Sequence, residues 1–411
     1  MLPNRNRKWR VAAGVFVAIV LVLGVVYWYR TRHEEPQPAW IAATPRTEFL
    51  YGSIGAERSA GVPYWIWLAL PRLFPEYLKY PGGYAALGLS WEEGVEMPTG
   101  FSKKTVGYVR VAGNCALCHA TSYRATADAA PVVVPTVPGH TVDAGKLLAF
   151  LKQCADDRRF NASELLAEID LATKLSWFDK LLYRFVLVPR ARQALSNQAL
   201  VFDGQLRGHQ QNPYSDTPFT SGRTKSLADW MRTLPAPAYP GPIDSKLAET
   251  GRSVFEKTCS GCHSLDRNTK PKVIPISDIG TDRTQLNEWA QITDPAALGS
   301  ARREMVESGG YIAPSLGGIW LRGPYLHNGS VPSVRHLLEP QSSRPSMFYV
   351  GNDVVEPQSV GFVWTEPKQP GRRDFVPYDT TQPGHSNSGH LYGATLLAAD
   401  KTALLEFIKT L

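Results

Sequence analysis

The longest uninterrupted apolar stretch of the chain lies near its start. Val11–Tyr29 holds nineteen residues without a charge. As a helix rising about 1.5 Å per residue it measures roughly 28 Å, close to the hydrocarbon thickness of a bilayer. Tyr27, Trp28 and Tyr29 close it with rings of the kind that settle at a membrane interface. Arg5, Arg7, Lys8 and Arg10 precede it, whereas Arg30 and Arg32 after it are soon diluted by Glu34 and Glu35. That asymmetry predicts a single transmembrane helix with its N-terminus in the cytoplasm and the remainder outside. A cleaved signal peptide would export the same residues. Bulky aromatics occupy the place where a small-residue cleavage site belongs, which favours a retained anchor.

Beyond the anchor the apolar positions recur mostly at helical spacing. Ala144–Cys154 and Ala162–Asp170 are expected helices, the second capped by Asn161 or Ser163. Phe178–Val188 is an apolar helical stretch that Pro189 is expected to end. Gly251 and Phe255 fall on one face of a helix, and Leu404, Leu405, Ile408 and Leu411 form a stripe near the chain end. The class expected is mainly α. Pro235–Pro242 is stiff and proline-rich, a suitable linker. It divides the chain into a stub and anchor (1–35), an N-terminal unit (36–235) and a C-terminal unit (236–411).

Charge adds little. There are 44 Lys and Arg against 37 Asp and Glu, a net +7. Four of the cations sit ahead of the anchor, and the rest are dispersed, so no nucleic-acid partner is expected. Five cysteines in an exported chain of 411 residues are too few for a disulfide framework. Cys154, within the helical Gly145–Asp156, reads as a small buried hydrophobe.

The other four cysteines form two copies of one pattern, Cys115-Ala-Leu-Cys118-His119 and Cys259-Ser-Gly-Cys262-His263. C-x-x-C-H is the attachment signature of c-type haem. Its two thiols reach the two vinyl groups of one porphyrin, and the following imidazole is directed to the iron. A zinc site would not need a histidine after each pair, and neither would a thioredoxin-type dithiol. Two disulfides would leave His119 and His263 unexplained. The pattern therefore calls for two covalently attached haem c groups, with His119 and His263 as proximal ligands. Ahead of the first motif, Trp65, Trp67, Phe74, Tyr77, Tyr80 and Tyr84 supply aromatic surface for core or haem wall.

The block Pro314-Ser-Leu-Gly-Gly-Ile-Trp-Leu-Arg-Gly-Pro-Tyr-Leu-His-Asn-Gly-Ser-Val-Pro-Ser333 resembles the C-terminal haem-domain signature of di-haem cytochrome c peroxidase relatives. Within that superfamily it is most similar to the rubber oxygenase and fatty-acid dioxygenase branch. The stretches Val273–Asp282, Arg344–Gly351 and Asp379–His390 are similar to the same branch. The likeness is specific over residues 240–411 and looser over 90–170. It implies two cytochrome-c-like haem domains close enough to exchange electrons. It also implies a redox enzyme, peroxidase- or dioxygenase-like, with a periplasmic or membrane-bound electron donor or acceptor. The region between the haem motifs departs from the branch, so no substrate is carried over and no catalytic residue is assigned.

In that branch the distal ligand of the second haem is a late histidine in a Ser-Asn-x-Gly-His setting, which here is His390. Met347, Met305 and His385 compete by availability alone. For the first haem, His140 follows its motif at a separation comparable to the peroxidases, with His209 a weaker candidate. Arg322 is placed to pair with a haem propionate, and His327 shares its loop. Trp320 and Trp230 are candidates for positions between the haems. The competing function is an electron carrier without chemistry of its own, serving a membrane or periplasmic dehydrogenase.

Overall fold

A computed structural model describes residues 5–196, 222–266, 269–292 and 295–411. Arg5–Arg32 is one helix. Its Trp9–Tyr29 stretch is, among the described residues, the one helix long and apolar enough to cross a membrane, and none of it is buried against the body. A helix apolar on every side with nothing to pack on is compatible with a membrane span or a signal sequence. It leads straight into the folded body. The His33 ring stacks on Tyr29 with centroids 4.5 Å apart. The Gly107 amide donates to the His33 carbonyl at 2.5 Å, and the Glu35 amide to that of Thr105 at 3.2 Å.

The first hydrophobic core is built by the helices Pro45–Tyr51, Tyr64–Leu73, Ala144–Asp156 and Ala162–Ala172. A hairpin of Phe101–Val106 against Tyr108–Gly113 packs with them, and Val62–Pro63 adds a third short strand. The aromatic stretch serves this core: Trp67 stacks on Tyr84 at 4.3 Å, and Phe74 is fully buried. Side-chain caps begin the two later helices, the second at the Asn161 expected from the sequence. The Asp143 carboxylate accepts from the Lys146 amide, and the Asn161 side chain from those of Ser163 and Glu164. Cys154 is fully buried here, and desolvation raises its thiol pKa well above the ordinary range.

Pro189 does not end the helix that precedes it. Trp177–Leu182 passes into a π-turn over Tyr183–Leu187 and continues helically through residues 188–196. The wider turn, in which the Val188 amide reaches back to Tyr183, makes room for the proline ring that a regular α-turn would exclude.

The second core forms where Ser245–Thr258 crosses the terminal helix Ala398–Lys409. A Cβ on Gly251 would run into the Ala403 carbonyl oxygen, so only glycine permits this approach. Phe255 meets Phe407 at 5.3 Å beside it. A third small cluster of Leu286, Trp289, Met305 and Tyr311 backs the strand pair Lys272–Pro275 and Gly310–Ala313.

The proline-rich segment is docked at its middle. The Pro237 carbonyl accepts from the Trp320 indole at 2.9 Å, and Tyr239 lies edge-on to the same indole at 5.5 Å. The halves also interlock away from this covalent connection. Val137 belongs to the second core although it precedes the linker. The Arg124 amide donates to the Asp353 carbonyl at 2.6 Å, and its guanidinium binds the buried Asp353 carboxylate at 2.6 and 3.0 Å.

Candidate haem sites

The second motif begins as the Ser245–Thr258 helix ends, so Cys259, Cys262 and His263 line a cavity of about 730 Å³. Its walls are largely apolar, with Leu316, Ile319, Leu404 and Ile408 among them. The His263 Nδ1–H donates to the Pro314 carbonyl at 2.8 Å. That bond fixes the tautomer and leaves the Nε2 lone pair for a metal. Burial lowers the His263 pKa, which keeps the ring neutral.

His390 stands across the same cavity. Its ring centroid lies 6.2 Å from that of His263, with the planes at 53°. Two imidazoles bound to one ion at metal–nitrogen distances of about 2 Å would place their centroids roughly 6 Å apart. His390 Nδ1 is buried without a hydrogen-bond partner, and burial lowers the ring's pKa to about 4. The cavity, the cysteine pair at its wall and the opposed neutral imidazoles fit one covalently attached haem.

A buried arginine explains why His390 is where it is. Arg344 donates to the carbonyls of Asn387 at 2.5 Å, Gly389 at 2.8 Å and His390 at 3.3 Å. Its Nε holds the carbonyls of His336 and Glu339, both at 3.1 Å. Gly389 and His390 both adopt left-handed backbone conformations, with φ of +79° and +51°. The missing Cβ at Gly389 lets the loop press against the Gly280 and Thr281 backbone, and the His390 amide donates to Ile279 at 2.8 Å. Asn328 does similar work, its side-chain amide holding the carbonyls of Gly384 and Ser386. The sequence motifs at 273–282, 314–333, 344–351 and 379–390 thus meet at one cavity. Arg344 and Asn328 were missed as functional residues. The available signal was a lone charged or amide side chain inside stretches already singled out.

The competitors for His390 separate clearly. Met347 is half-exposed, and His385 stacks on Tyr378 at 4.6 Å with its Nδ1–H directed to the Asp379 carbonyl. Met305 does line the cavity. So do Arg322, which donates to the carbonyls of Ser315 and Gly317, and His327. His327 stacks on Tyr311 at 3.9 Å, has a buried Nε2 without a partner, and is lowered by burial to about 4. Trp320 is fully buried between Tyr123 and Tyr239, with centroids at 5.0 and 5.5 Å. Trp230 packs on Phe49 in the first core.

The first motif occupies a single helical turn, Ala116–His119. The Asn114 side chain anchors its start, donating to the carbonyls of Leu50 and Gly52 and accepting from the Ala116 amide. Gly100, at φ +87°, allows the hairpin to touch the Leu117 backbone. Cys115, Cys118 and His119 are partly buried and do not line the large cavity. Burial raises the Cys115 and Cys118 pKa values and that of Cys259 to about 11. Such surroundings give no help to a reactive thiolate.

His140 has both ring nitrogens engaged. Nδ1 is 2.7 Å from the Thr121 hydroxyl and Nε2 is 3.1 Å from the Asn352 carbonyl, while the ring rests on Phe362 at 3.8 Å. It sits beside the second cavity and ties the halves together. Next to it, the Gly139 amide donates to the Cys118 carbonyl at 2.8 Å. The segment after the first motif therefore reaches the wall of the second motif's cavity. His209 lies outside the described residues.

These features are compatible with a c-type cytochrome domain. A family profile described as RoxA-like, cytochrome c-like matches residues 310–349, which supports a cytochrome c family relationship and implies covalently bound haem c. Two proteins of Sinorhizobium fredii (strain NBRC 101917 / NGR234) are similar to the chain. One, the uncharacterized protein y4iJ, is 26% identical over 57% of this chain and 53% of its own. The other, the uncharacterized protein y4iM, is 31% identical over 41% of this chain and 46% of its own. The chain spans about half the length of these curated relatives.

Proposed function

We propose that the chain is a di-haem c-type cytochrome, held on the outer face of the cytoplasmic membrane by Val11–Tyr29, and that it acts as a peroxidase- or oxygenase-like redox enzyme. The observation that carries the reading is the opposition of His263 and His390 across a cavity with Cys259 and Cys262 in its wall. In this reading His263 and His390 would hold the iron of the second haem from opposite sides of the cavity. Cys115, Cys118 and His119 hold the first. Haem c supplies reversible one-electron chemistry and, where an axial position is open, binding of O2 or peroxide.

The residues divide the work. The Pro314 carbonyl orients His263, and the Arg344 guanidinium holds the loop that presents His390. Arg322 and His327 supply the polar part of a mostly apolar wall. At the first motif, His140 already spends both nitrogens on Thr121 and Asn352. His140 is therefore not available to a group held at the first motif. The exposed apolar helix favours the second reading, an electron carrier kept beside a quinol- or alcohol-oxidising partner in the membrane.

The test is the visible spectrum of the reduced, detergent-purified protein before and after CO. A shift in about half of the haem supports one open and one saturated site. No shift means two saturated haems, and the carrier reading then replaces the enzyme.

A further inference from the structure

Trp177, Leu181 and Phe185 succeed one another a turn apart along one helix and point away from the body, at 75%, 45% and 70% exposure. The other side of this helix is already satisfied: Leu182, Tyr183, Leu187 and Val188 are buried in the first core. A surface helix normally turns polar side chains outward. This one is apolar on both sides, and covering its exposed apolar side chains is favourable.

The position of the stripe suggests what covers it. The anchor helix ends at the turn of the Phe101–Gly113 hairpin, where Gly107 bonds to His33. Tyr108, at that turn, packs against the first core. Tyr183, Leu187 and Val188 of the exposed helix enter the same core. The hairpin at the end of the span and the exposed helix therefore border one core. Trp177 is no more than about 20 Å from Arg190 along the helix. Exposed cations flank the stripe at Lys174, Arg184 and Arg190. The nearby carboxylates are occupied, Asp170 by Lys180 at 2.6 Å and Asp179 by the Ser176 hydroxyl at 2.6 Å.

We propose that the helix beginning at Trp177 is a second membrane contact, lying on an anionic phospholipid surface beside the anchor and fixing the orientation of the haem domain. Trp177, Leu181 and Phe185 enter the interfacial layer, and Arg184 and Arg190 face the phosphate groups. This rests on Val11–Tyr29 being a retained span.

The experiment uses the full-length, haem-loaded protein in nanodiscs of zwitterionic and anionic phospholipid. Nitroxide labels are placed one at a time through Phe185→Cys, Leu181→Cys and, for the span itself, Val17→Cys. Collision with lipid-soluble O2 is compared with collision with a water-soluble nickel chelate. The expected result is an O2-to-nickel ratio at positions 185 and 181 several-fold above that of free label in buffer, as at position 17. A lipid-like ratio at 17 with a water-like ratio at 185 and 181 overturns the surface contact while leaving the anchor standing. Labels at 185 and 181 reached by neither reagent are covered by protein, which also overturns it. A water-like ratio at 17 removes the anchor, and this contact with it.

Discussion

Arg124 and Asp353 are 229 positions apart in the chain and 2.6 Å apart in space, both buried. Arg373 adds a second guanidinium at 3.8 Å from the same carboxylate and donates to the Thr141 carbonyl. One carboxylate therefore holds two cations and two halves of the molecule. Asp353→Ala leaves both guanidinium groups buried without it, at a cost of about 3–5 kcal/mol. Denaturant midpoints check this. A loss within 1 kcal/mol, roughly the range of an exposed pair, would show that the cluster is not the tie it looks like.

His390→Ala is expected to remove one low-spin haem signal and create a CO-binding site in its place, without loss of covalent haem. His263→Ala should perturb the same haem and leave the other largely intact. An unchanged reduced spectrum in His390→Ala would show that another side chain, Met305 first among them, holds the iron.

Arg344→Lys keeps the charge and loses the planar fork that spans several carbonyls. The loop carrying His390 should loosen, so a minor fraction of the second haem becomes CO-reactive. His390 remains present, so the CO-binding fraction falls between those of the wild type and His390→Ala. Equality with the wild type would remove Arg344 from its positioning role.

Gly251→Ala forces a methyl group onto the Ala403 carbonyl at the helix crossing. Overpacking of this kind costs about 1–3 kcal/mol. Gly24→Ala, in the apolar helix away from the body, meets open space and is the control. Thermal midpoints should fall for the first and barely move for the second.

Burial holds the His140 imidazole down at about 4; Asp353 opposes that shift and Arg373 adds to it. Between an unfolded value near 6.5 and about 4, the unfolded chain binds the proton and the folded chain does not. Stability from this group is thus complete above about pH 6.5 and is lost as pH falls toward 4, by about 3 kcal/mol in all. His140→Gln should flatten that acid limb. An identical limb in the variant would assign it to other groups.

Much of the candidate site was legible in the sequence because haem attachment is local chemistry: two thiols and an imidazole within five residues carry it. The terminal helix pair was legible for a similar reason, since Gly251, Phe255 and the Leu404–Ile408 stripe follow helical spacing. Capping at Asn161 is equally local. What escaped depends on residues distant in the chain. Nothing near Arg124 announces Asp353, and nothing near His140 shows that Thr121 and Asn352 would engage it. The usual effect of Pro189 is cancelled by the π-turn over Tyr183–Leu187, which no local residue announces. The Pro235–Pro242 segment has the composition of a spacer, but Trp320 and Tyr239 turn it into a packed strap.

The two backbone hydrogen bonds that join His33 and Glu35 to the Phe101–Gly113 hairpin leave no slack between the apolar helix and the folded body. With that helix in a bilayer, the haem domain is not a ball on a string. It cannot swing out to meet a soluble protein or pivot to present another side. Its electrons would be exchanged at a fixed height above the lipid, and encounters with membrane-bound partners would become a two-dimensional search with one approach angle.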